Sequence, residues 1–224
     1  MTVTELAVLH CLAGTVTPDL KHLLATASKV QSAWLATNQS TSTSAPQERG
    51  ESFFQQVEDP SKFLITATWS SLASHHEWIA PSDNASVLGP ILSHIDVAQT
   101  SLRHVEGRLF AGPAPEGLKR MLEAPVVSVG RTYLKKEMKI KADSKIREIS
   151  EEMTAFASPY EWRWGWVVDG KEEEDKGLLQ FVIVAGWESI ERHRSFKTHP
   201  TQKRWQEFVD LAESTGFVHY ERFL

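Results

Sequence analysis

Two stretches of sequence decide the fold: FLITATWSSLASHHEW at residues 63–78 and FVIVAGWESIERHRSF at residues 181–196. Each begins with an apolar run that ends in tryptophan, which is typical of a buried strand. Each then continues with apolar residues at helical spacing, which predicts a short helix packed on that strand. The two tryptophans, Trp69 and Trp187, lie 118 residues apart. This repetition predicts an internal duplication.

The same 118-residue offset relates further positions. His75 corresponds to His193, and His10, at the end of the first apolar run, corresponds to Ser128. Since His10 and Ser128 differ in chemistry, this position is interpreted as one that diverged because a single cavity stayed active.

Hydrophobic patterning predicts the order β-α-β-β-α-β twice. In the first half Thr17 is the expected cap of the first helix. The predicted strands are residues 6–11, 51–57, 62–69, 101–109, 126–134, 160–168, 178–187 and 217–223. The first predicted helix starts at residue 18, and the others cover residues 70–79, 85–97, 143–156, 189–196 and 201–213. A break is expected at Pro81 and a hairpin turn at residues 169–177. We therefore expect an α+β protein with ferredoxin-like repeats at residues 1–110 and 126–224, joined by a linker at residues 111–125.

Composition excludes several classes of protein. Of 224 residues 41% are hydrophobic and 24% are charged, which fits a chain with a sizeable core and excludes a disordered or fibrous protein. The 24 basic and 29 acidic side chains give a net charge of −5, so no nucleic-acid partner is expected. One cysteine, Cys11, and no metal-ligand spacing predict an intracellular, cytoplasmic protein without a metal site. No signal peptide and no membrane span are predicted.

The pattern of a strand ending in Trp, then x-Ser-apolar-x-x-His-x-x-aromatic, resembles the dimeric α/β-barrel superfamily of the antibiotic-biosynthesis-monooxygenase type. The tandem arrangement is similar to single-chain fungal members. The resemblance implies that the two ferredoxin-like βαββαβ repeats pack sheet to sheet as a pseudo-dimeric α/β barrel. A single sheet with helices on one side leaves its other face uncovered, and packing against a second sheet would cover that face. The family includes cofactor-free monooxygenases, cyclases, isomerases, decarboxylases and haem-dependent members, and the fold does not choose among them.

Histidines are the first candidates for catalysis. His10, His75 and His193 could each give or take a proton near neutral pH without a cofactor. The alternative for His75 and His193 is a structural hydrogen bond that fixes a helix on its sheet, and their presence in both halves favours that alternative. His104 and His219 lie on the predicted fourth strands and are candidate substrate-binding residues, with exposure at a strand edge as the alternative.

Two further groups of residues are candidates on a shared strand face. Arg131 and Tyr133 alternate with valines and could polarise or protonate an oxygen of the substrate; the alternative is a surface pair. Trp162, Trp164 and Trp166 share one face of a strand and could form an aromatic wall for a large, flat substrate. The alternative for these three tryptophans is core packing.

The Ser/Thr-rich residues 38–50 are interpreted as a loop, either a lid over one cavity or a disordered insertion. The leading hypothesis is a cofactor-independent, cyclase- or isomerase-type enzyme of secondary metabolism that acts on a hydrophobic polyketide or terpenoid intermediate, including pericyclic reactions. The alternatives are a cofactor-free monooxygenase of a hydroxyaromatic substrate and a non-catalytic protein that binds a hydrophobic metabolite. A homodimer is left open, and no cofactor is expected.

Overall fold

The computed structural model describes residues 1–38, 45–80 and 82–224. It consists of two compact units: unit 1 is Met1–Gly112 with Glu221–Leu224, and unit 2 is Pro113–Tyr220. Residues 113–125, expected as part of a linker, belong to unit 2. There Lys119 forms a bridge with Tyr160, and the Met121 N–H donates a 3.0 Å hydrogen bond to the Glu161 carboxylate.

Unit 1 is a four-stranded antiparallel sheet with helices on one face. Its strands are β1 (Val3–His10), β2 (Ser52–Gln56), β3 (Lys62–Trp69) and β4 (Ser101–Glu106). Its α-helices are α1 (Pro18–Asn38), α2 (Leu72–Ile79) and α3 (Ser82–Leu92), and 3-10 turns lie at Pro46–Arg49 and Val97–Gln99. The strand order is β4-β1-β3-β2. The core between sheet and helices includes Leu9, Leu20, Leu24, Phe53, Phe63 and Ile91.

Unit 2 has the same type of sheet, in the order β8-β5-β7-β6. Its strands are β5 (Val126–Lys135), β6 (Trp162–Trp166), β7 (Leu178–Trp187) and β8 (Ala212–Arg222), whose last two residues belong to unit 1. Its α-helices are α4 (Lys139–Glu148), α5 (Ser150–Ala157), α6 (Lys171–Asp175), α7 (Ile190–Arg194) and α8 (Gln202–Val209). Its 3-10 turns lie at Met121–Glu123, Lys136–Met138 and Ser195–Thr198.

The predicted order of elements is present in each unit, and one predicted cap is confirmed. Thr17 Oγ1 accepts a 3.2 Å hydrogen bond from the Leu20 N–H at the start of α1. Residues 39–44 of the expected loop and the expected break at Pro81 lie outside the described residues. The described end of the loop is a 3-10 turn closed by Gly50, whose φ of 71° and close approach to Phe110 leave no room for a side chain.

Three predicted elements in unit 2 are wrong in detail. The single helix at residues 143–156 is two helices, because the backbone at Ile149 leaves the helical region (φ −101°, ψ 1°). The helix at residues 201–213 ends at Val209, since Ala212 pairs with Leu134 on β5 and pairing overrides local helix propensity. The expected hairpin turn at residues 169–177 contains the short helix α6.

Candidate active site

Four buried side chains meet in unit 1: Glu5 on β1, Trp69 at the end of β3, His75 on α2 and His104 on β4. The Trp69 indole N–H donates to Glu5 Oε2 at 2.8 Å, and His75 Nε2 lies 3.4 Å from the same oxygen. His75 Nδ1 and His104 Nε2 are 2.6 Å apart, so one ring donates a hydrogen bond to the other. A carboxyl group and two imidazoles therefore form one connected chain.

The strands and one helix cap hold this cluster in place. Glu5 faces His104 directly in the antiparallel pairing of β1 with β4, which puts both side chains on one sheet face. Ser71 is the N-cap of α2: its hydroxyl accepts from the Ser74 N–H, and the Ser74 hydroxyl accepts from the Ser71 N–H. This capping box fixes the first turn of α2, and His75 then stacks on the Trp69 ring with centroids 4.5 Å apart.

Burial changes the acidity of Glu5. The residue is 8% exposed, and desolvation raises the pKa of its carboxyl group from 4.5 to about 7. The nearby Glu51 carboxyl acts in the same direction, while the Trp69 hydrogen bond and His104 oppose the rise. Near neutral pH, Glu5 can therefore both accept and release a proton.

The distances allow one arrangement of hydrogens in which His75 supports a negative charge on Glu5. If the His75 Nε2–H points at the Glu5 carboxylate, His75 Nδ1 is an acceptor and His104 Nε2 must be the donor. In that arrangement the His75 N–H stabilises a negative charge on Glu5, and the hydrogen bond from His104 makes the His75 ring a better donor.

A cavity of about 130 Å³ in unit 1 adjoins Glu5 and His75. Glu51 and Asn84 also border it, and the rest of its wall is mainly apolar. The apolar and aromatic lining residues include Leu9, Leu24, Phe53, Ile65, Trp78 and Ile91. An apolar cavity with a few polar groups and one carboxyl of shifted pKa is the usual form of a small-molecule site.

Unit 2 contains a similar cluster without the carboxyl group. The Trp187 indole N–H donates to Ser128 Oγ at 2.8 Å, and His193 Nδ1 lies 2.9 Å from His219 Nε2. His193 stacks on Trp187 with centroids 4.5 Å apart. The adjoining cavity measures about 40 Å³. Ser128 puts a hydroxyl group in place of the carboxyl, so this cluster keeps its two imidazoles but lacks a carboxylate base.

The strand register corrects the predicted equivalence of His10 and Ser128. Glu5 lies between His104 and Ala67, and Ser128 lies in the same way between His219 and Ala185. Glu5 is therefore the residue that corresponds to Ser128. Sequence reasoning missed Glu5, although a lone charge inside an apolar run was a usable signal.

The structure separates the other proposed acid–base residues from these clusters. His10 lies on the β1 face opposite to Glu5, because side chains alternate along a strand. Arg131 and Tyr133 likewise lie on the β5 face opposite to Ser128, where the Tyr133 hydroxyl accepts from the Gln180 amide at 3.2 Å. None of the three touches the cavity of unit 1.

The three tryptophans of β6 pack between the sheet and the helices of unit 2. Trp162 and Trp166 are buried core residues, and Trp164 packs against the same cluster. The Trp162 indole donates to Thr154, and the Trp166 indole donates to Asp143. Only Trp162 borders the small cavity of unit 2. These contacts favour core packing over an aromatic substrate wall.

Two properties of the described residues concern possible partners. No group of three or more His, Cys, Asp or Glu side chains there could hold a metal ion. Among the helices described, none combines the length and the apolar character that a membrane crossing requires. The small-molecule substrate and the homodimer stay predictions.

The fold and the cluster define an α+β protein built from two four-stranded antiparallel units, one of which carries a buried carboxyl group of raised pKa beside two histidines. No protein-family model and no curated protein matches the chain.

Solved structures do share the fold. One is a candidate monooxygenase from Lactobacillus acidophilus, 11% identical, with a TM-score of 0.61 over 99% of this chain and 93% of that chain. Another is an anthrone oxidase-like protein, 12% identical, with a TM-score of 0.59 over 100% and 92%. A third is a candidate chlorite dismutase, 11% identical, with a TM-score of 0.52 over 100% and 95%. At such identities the likeness concerns the fold alone.

Proposed function

We propose that the protein is an enzyme that moves a proton on a small ring substrate without a cofactor, and that Glu5 is its acid–base group. One observation carries the proposal: a buried carboxyl group with a pKa of about 7 borders a mainly apolar cavity. A general base is most effective when its pKa lies near the working pH. The His75–His104 pair supports this role because it can share the charge that proton uptake changes.

The contacts of Glu5 indicate different roles for its two carboxyl oxygens. Oε2 receives the Trp69 N–H and lies near His75, so it is held in place. We assign Oε1 to the substrate, where it takes a proton from a carbon next to a carbonyl group or from a phenol. The resulting enolate or phenolate then regains a proton at another atom or attacks a second site in the same molecule.

These steps correspond to isomerisation or cyclisation. A polyketide or terpenoid intermediate of secondary metabolism offers the required acidic C–H groups next to carbonyl groups. A cavity of about 130 Å³ admits roughly one six-membered ring, since an apolar cavity of about 150 Å³ binds benzene. The reacting ring of a larger substrate would enter the cavity, and the remainder would stay outside.

Oxygenation is the second candidate, because the fold is shared with candidate monooxygenases. The same base would generate a carbanion or phenolate that combines with O₂ and a proton to give a hydroperoxide. Loss of water from a secondary hydroperoxide leaves a carbonyl group. This reaction requires oxygen, whereas isomerisation and cyclisation do not.

We also propose that the two units are repeats of one ancestral βαββαβ element, packed as a pseudo-dimeric barrel of the tandem fungal type. Ser71 and Ser189 support this origin, since both cap a helix from the same extended conformation, with φ of −162°. The acid–base function would then have been kept in unit 1 alone.

The first experiment uses 3-cyclohexenone, a one-ring ketone that isomerises to its conjugated form by transfer of one proton. Under anaerobic conditions we expect the wild-type protein to accelerate the rise in absorbance of the conjugated enone. The Glu5→Gln variant should lose at least about 100-fold in rate, because the amide cannot accept the proton. Glu77→Gln, the same change at an exposed site of α2, should keep the wild-type rate.

Three results would count against isomerisation. A wild-type rate no higher than that of acetate at equal concentration contradicts the proposal for this class of substrate. Oxygen uptake with 1,4-dihydroxybenzene that depends on Glu5 and places an atom of O₂ in the product, without isomerisation, would instead support the oxygenase. Ligand binding without either reaction would support the non-catalytic protein.

A further inference from the structure

The cavity of unit 1 has two buried hydrogen-bond acceptors besides Glu5. Glu51 is 4% exposed and Asn84 is fully buried, and both residues border the cavity. Glu51 Oε1 and Asn84 Oδ1 have no donor in hydrogen-bond geometry among the described residues, while the Ser28 hydroxyl on the same cavity wall is close enough to the Glu51 carboxyl to lower its pKa. Such atoms lose their hydration on folding without gaining a donor, so they are the points at which a bound molecule can restore a hydrogen bond.

The remaining atoms of both side chains are held by neighbours. Arg49 Nη2 donates to Glu51 Oε2 at 3.0 Å. With its amide oriented by the hydrogen-bond network, Gln31 also donates to that oxygen at 3.1 Å and accepts from the Trp78 indole. The Asn84 amide nitrogen donates to the Trp78 carbonyl oxygen at 3.0 Å. The two acceptors therefore cannot turn away to satisfy themselves elsewhere.

The surroundings indicate which kind of donor fits. Arg49 already compensates a negative charge on Glu51, so the site requires no second cation. Burial raises the pKa of the Glu51 carboxyl, which also disfavours an uncompensated charge there. The mainly apolar wall and the volume of about 130 Å³ favour a neutral ring. A hydroxyl group is the neutral donor that such a ring most simply carries.

We propose that Glu51 and Asn84 form a recognition subsite for a hydroxyl group of the substrate, separate from the group that reacts at Glu5. This inference rests on the proposed function, since it places the substrate of that enzyme in the same cavity. It narrows the substrate to a ring with a hydroxyl substituent in addition to its reacting group. Glu51 and Asn84 act on binding and selectivity, whereas Glu5 transfers the proton.

The test compares the three dihydroxybenzenes with the methylphenols of the same substitution pattern, in which a methyl group of similar size replaces one hydroxyl. Affinities are measured by isothermal titration calorimetry with the full chain. We expect at least one dihydroxybenzene to bind about tenfold or more tightly than its methylphenol counterpart, because the methyl group leaves a buried acceptor unpaired.

Glu51→Gln should abolish this preference. Arg49 and Gln31 both donate, so the oxygen of the new amide stays toward them and its NH₂ group faces the cavity, where it cannot accept from a hydroxyl. The matched control is Glu48→Gln, the same change at an exposed position three residues away, which should keep the wild-type preference. A circular dichroism spectrum checks the fold of each variant. The comparison of dihydroxybenzenes with methylphenols in the wild-type protein does not depend on these variants.

Equal affinity of the wild-type protein for both series, no binding of any probe, or a folded Glu51→Gln variant that keeps the preference would overturn the proposal. The outcomes also separate the two proposals. A hydroxyl preference that depends on Glu51, with isomerisation indifferent to Glu5, leaves the subsite and removes the proposed reaction. Isomerisation that depends on Glu5, with no hydroxyl preference, leaves the proposed reaction and removes the subsite.

Discussion

The Glu5 carboxyl group and the Ser128 hydroxyl group each accept a hydrogen bond from a tryptophan at the end of a neighbouring strand, at 2.8 Å in both units. Only the carboxyl group takes up and releases protons in the physiological range. The histidine pairs beside them, His75–His104 and His193–His219, have similar geometry. The difference in chemistry between the two clusters is therefore concentrated in one residue.

Glu5 also ties stability to pH. Its pKa is about 7 in the folded protein and 4.5 without burial, so between these values the folded state holds a proton that the unfolded chain has released. The contribution of Glu5 to the free energy of unfolding therefore decreases as pH rises from about 4.5 to above 7. Urea unfolding at pH 5 and pH 8.5 should show this decrease for the wild type.

In Glu5→Gln that part of the pH dependence should disappear. Relative to the wild type, the variant should gain up to about 3 kcal/mol between pH 5 and pH 8.5. The same pH dependence in both proteins would show that the Glu5 carboxyl group is not strongly shifted.

At the scale of the elements, periodicity located all eight strands and most of the helices, because packing follows the same period that the sequence displays. The errors lie where a neighbour overrules the local pattern. Ala212 belongs to β8 because it pairs with Leu134. The apolar residues keep their helical spacing across Ile149, although the backbone leaves the helical conformation there. Such outcomes depend on partners distant in sequence, which a local pattern does not contain.

The helix caps provide a prediction at this scale. Ser71→Ala and Ser189→Ala each remove a side-chain acceptor from the start of a helix, and each should lower the free energy of unfolding by about 1 kcal/mol. Because α2 carries His75, Ser71→Ala should also reduce kcat/KM for 3-cyclohexenone. Ser189→Ala should leave kcat/KM unchanged, and an equal loss in both variants would contradict a site confined to unit 1.

For the whole molecule, a single offset of 118 residues correctly related Trp69 to Trp187 but failed on the first strands. Trp69 follows its strand partner Val3 by 66 residues, whereas Trp187 follows Val126 by 61. Unit 2 is thus five residues shorter between those positions, and only the strand register reveals that Glu5 matches Ser128. The burial that shifts the pKa of Glu5 likewise comes from the assembled unit and is not visible in the sequence.

Matched substitutions in the two units test where the function lies. His75→Gln should lower kcat/KM for 3-cyclohexenone by about tenfold and move the midpoint of its pH profile, since it removes the partner that positions Glu5 but keeps the base. His193→Gln should change neither quantity. If both variants lose activity alike, or if only His193→Gln does, the assignment to unit 1 is wrong.

The pH dependence of kcat/KM for 3-cyclohexenone is the most direct test of the central claim, that the buried Glu5 carboxyl group is the base. The reactive form is the carboxylate, so the wild-type rate should rise about tenfold per pH unit at low pH and level off above about pH 7. Glu5→Gln should show neither the rise nor the plateau. A wild-type profile that is flat from pH 5 to pH 9, or a rise that persists in Glu5→Gln, would contradict the claim.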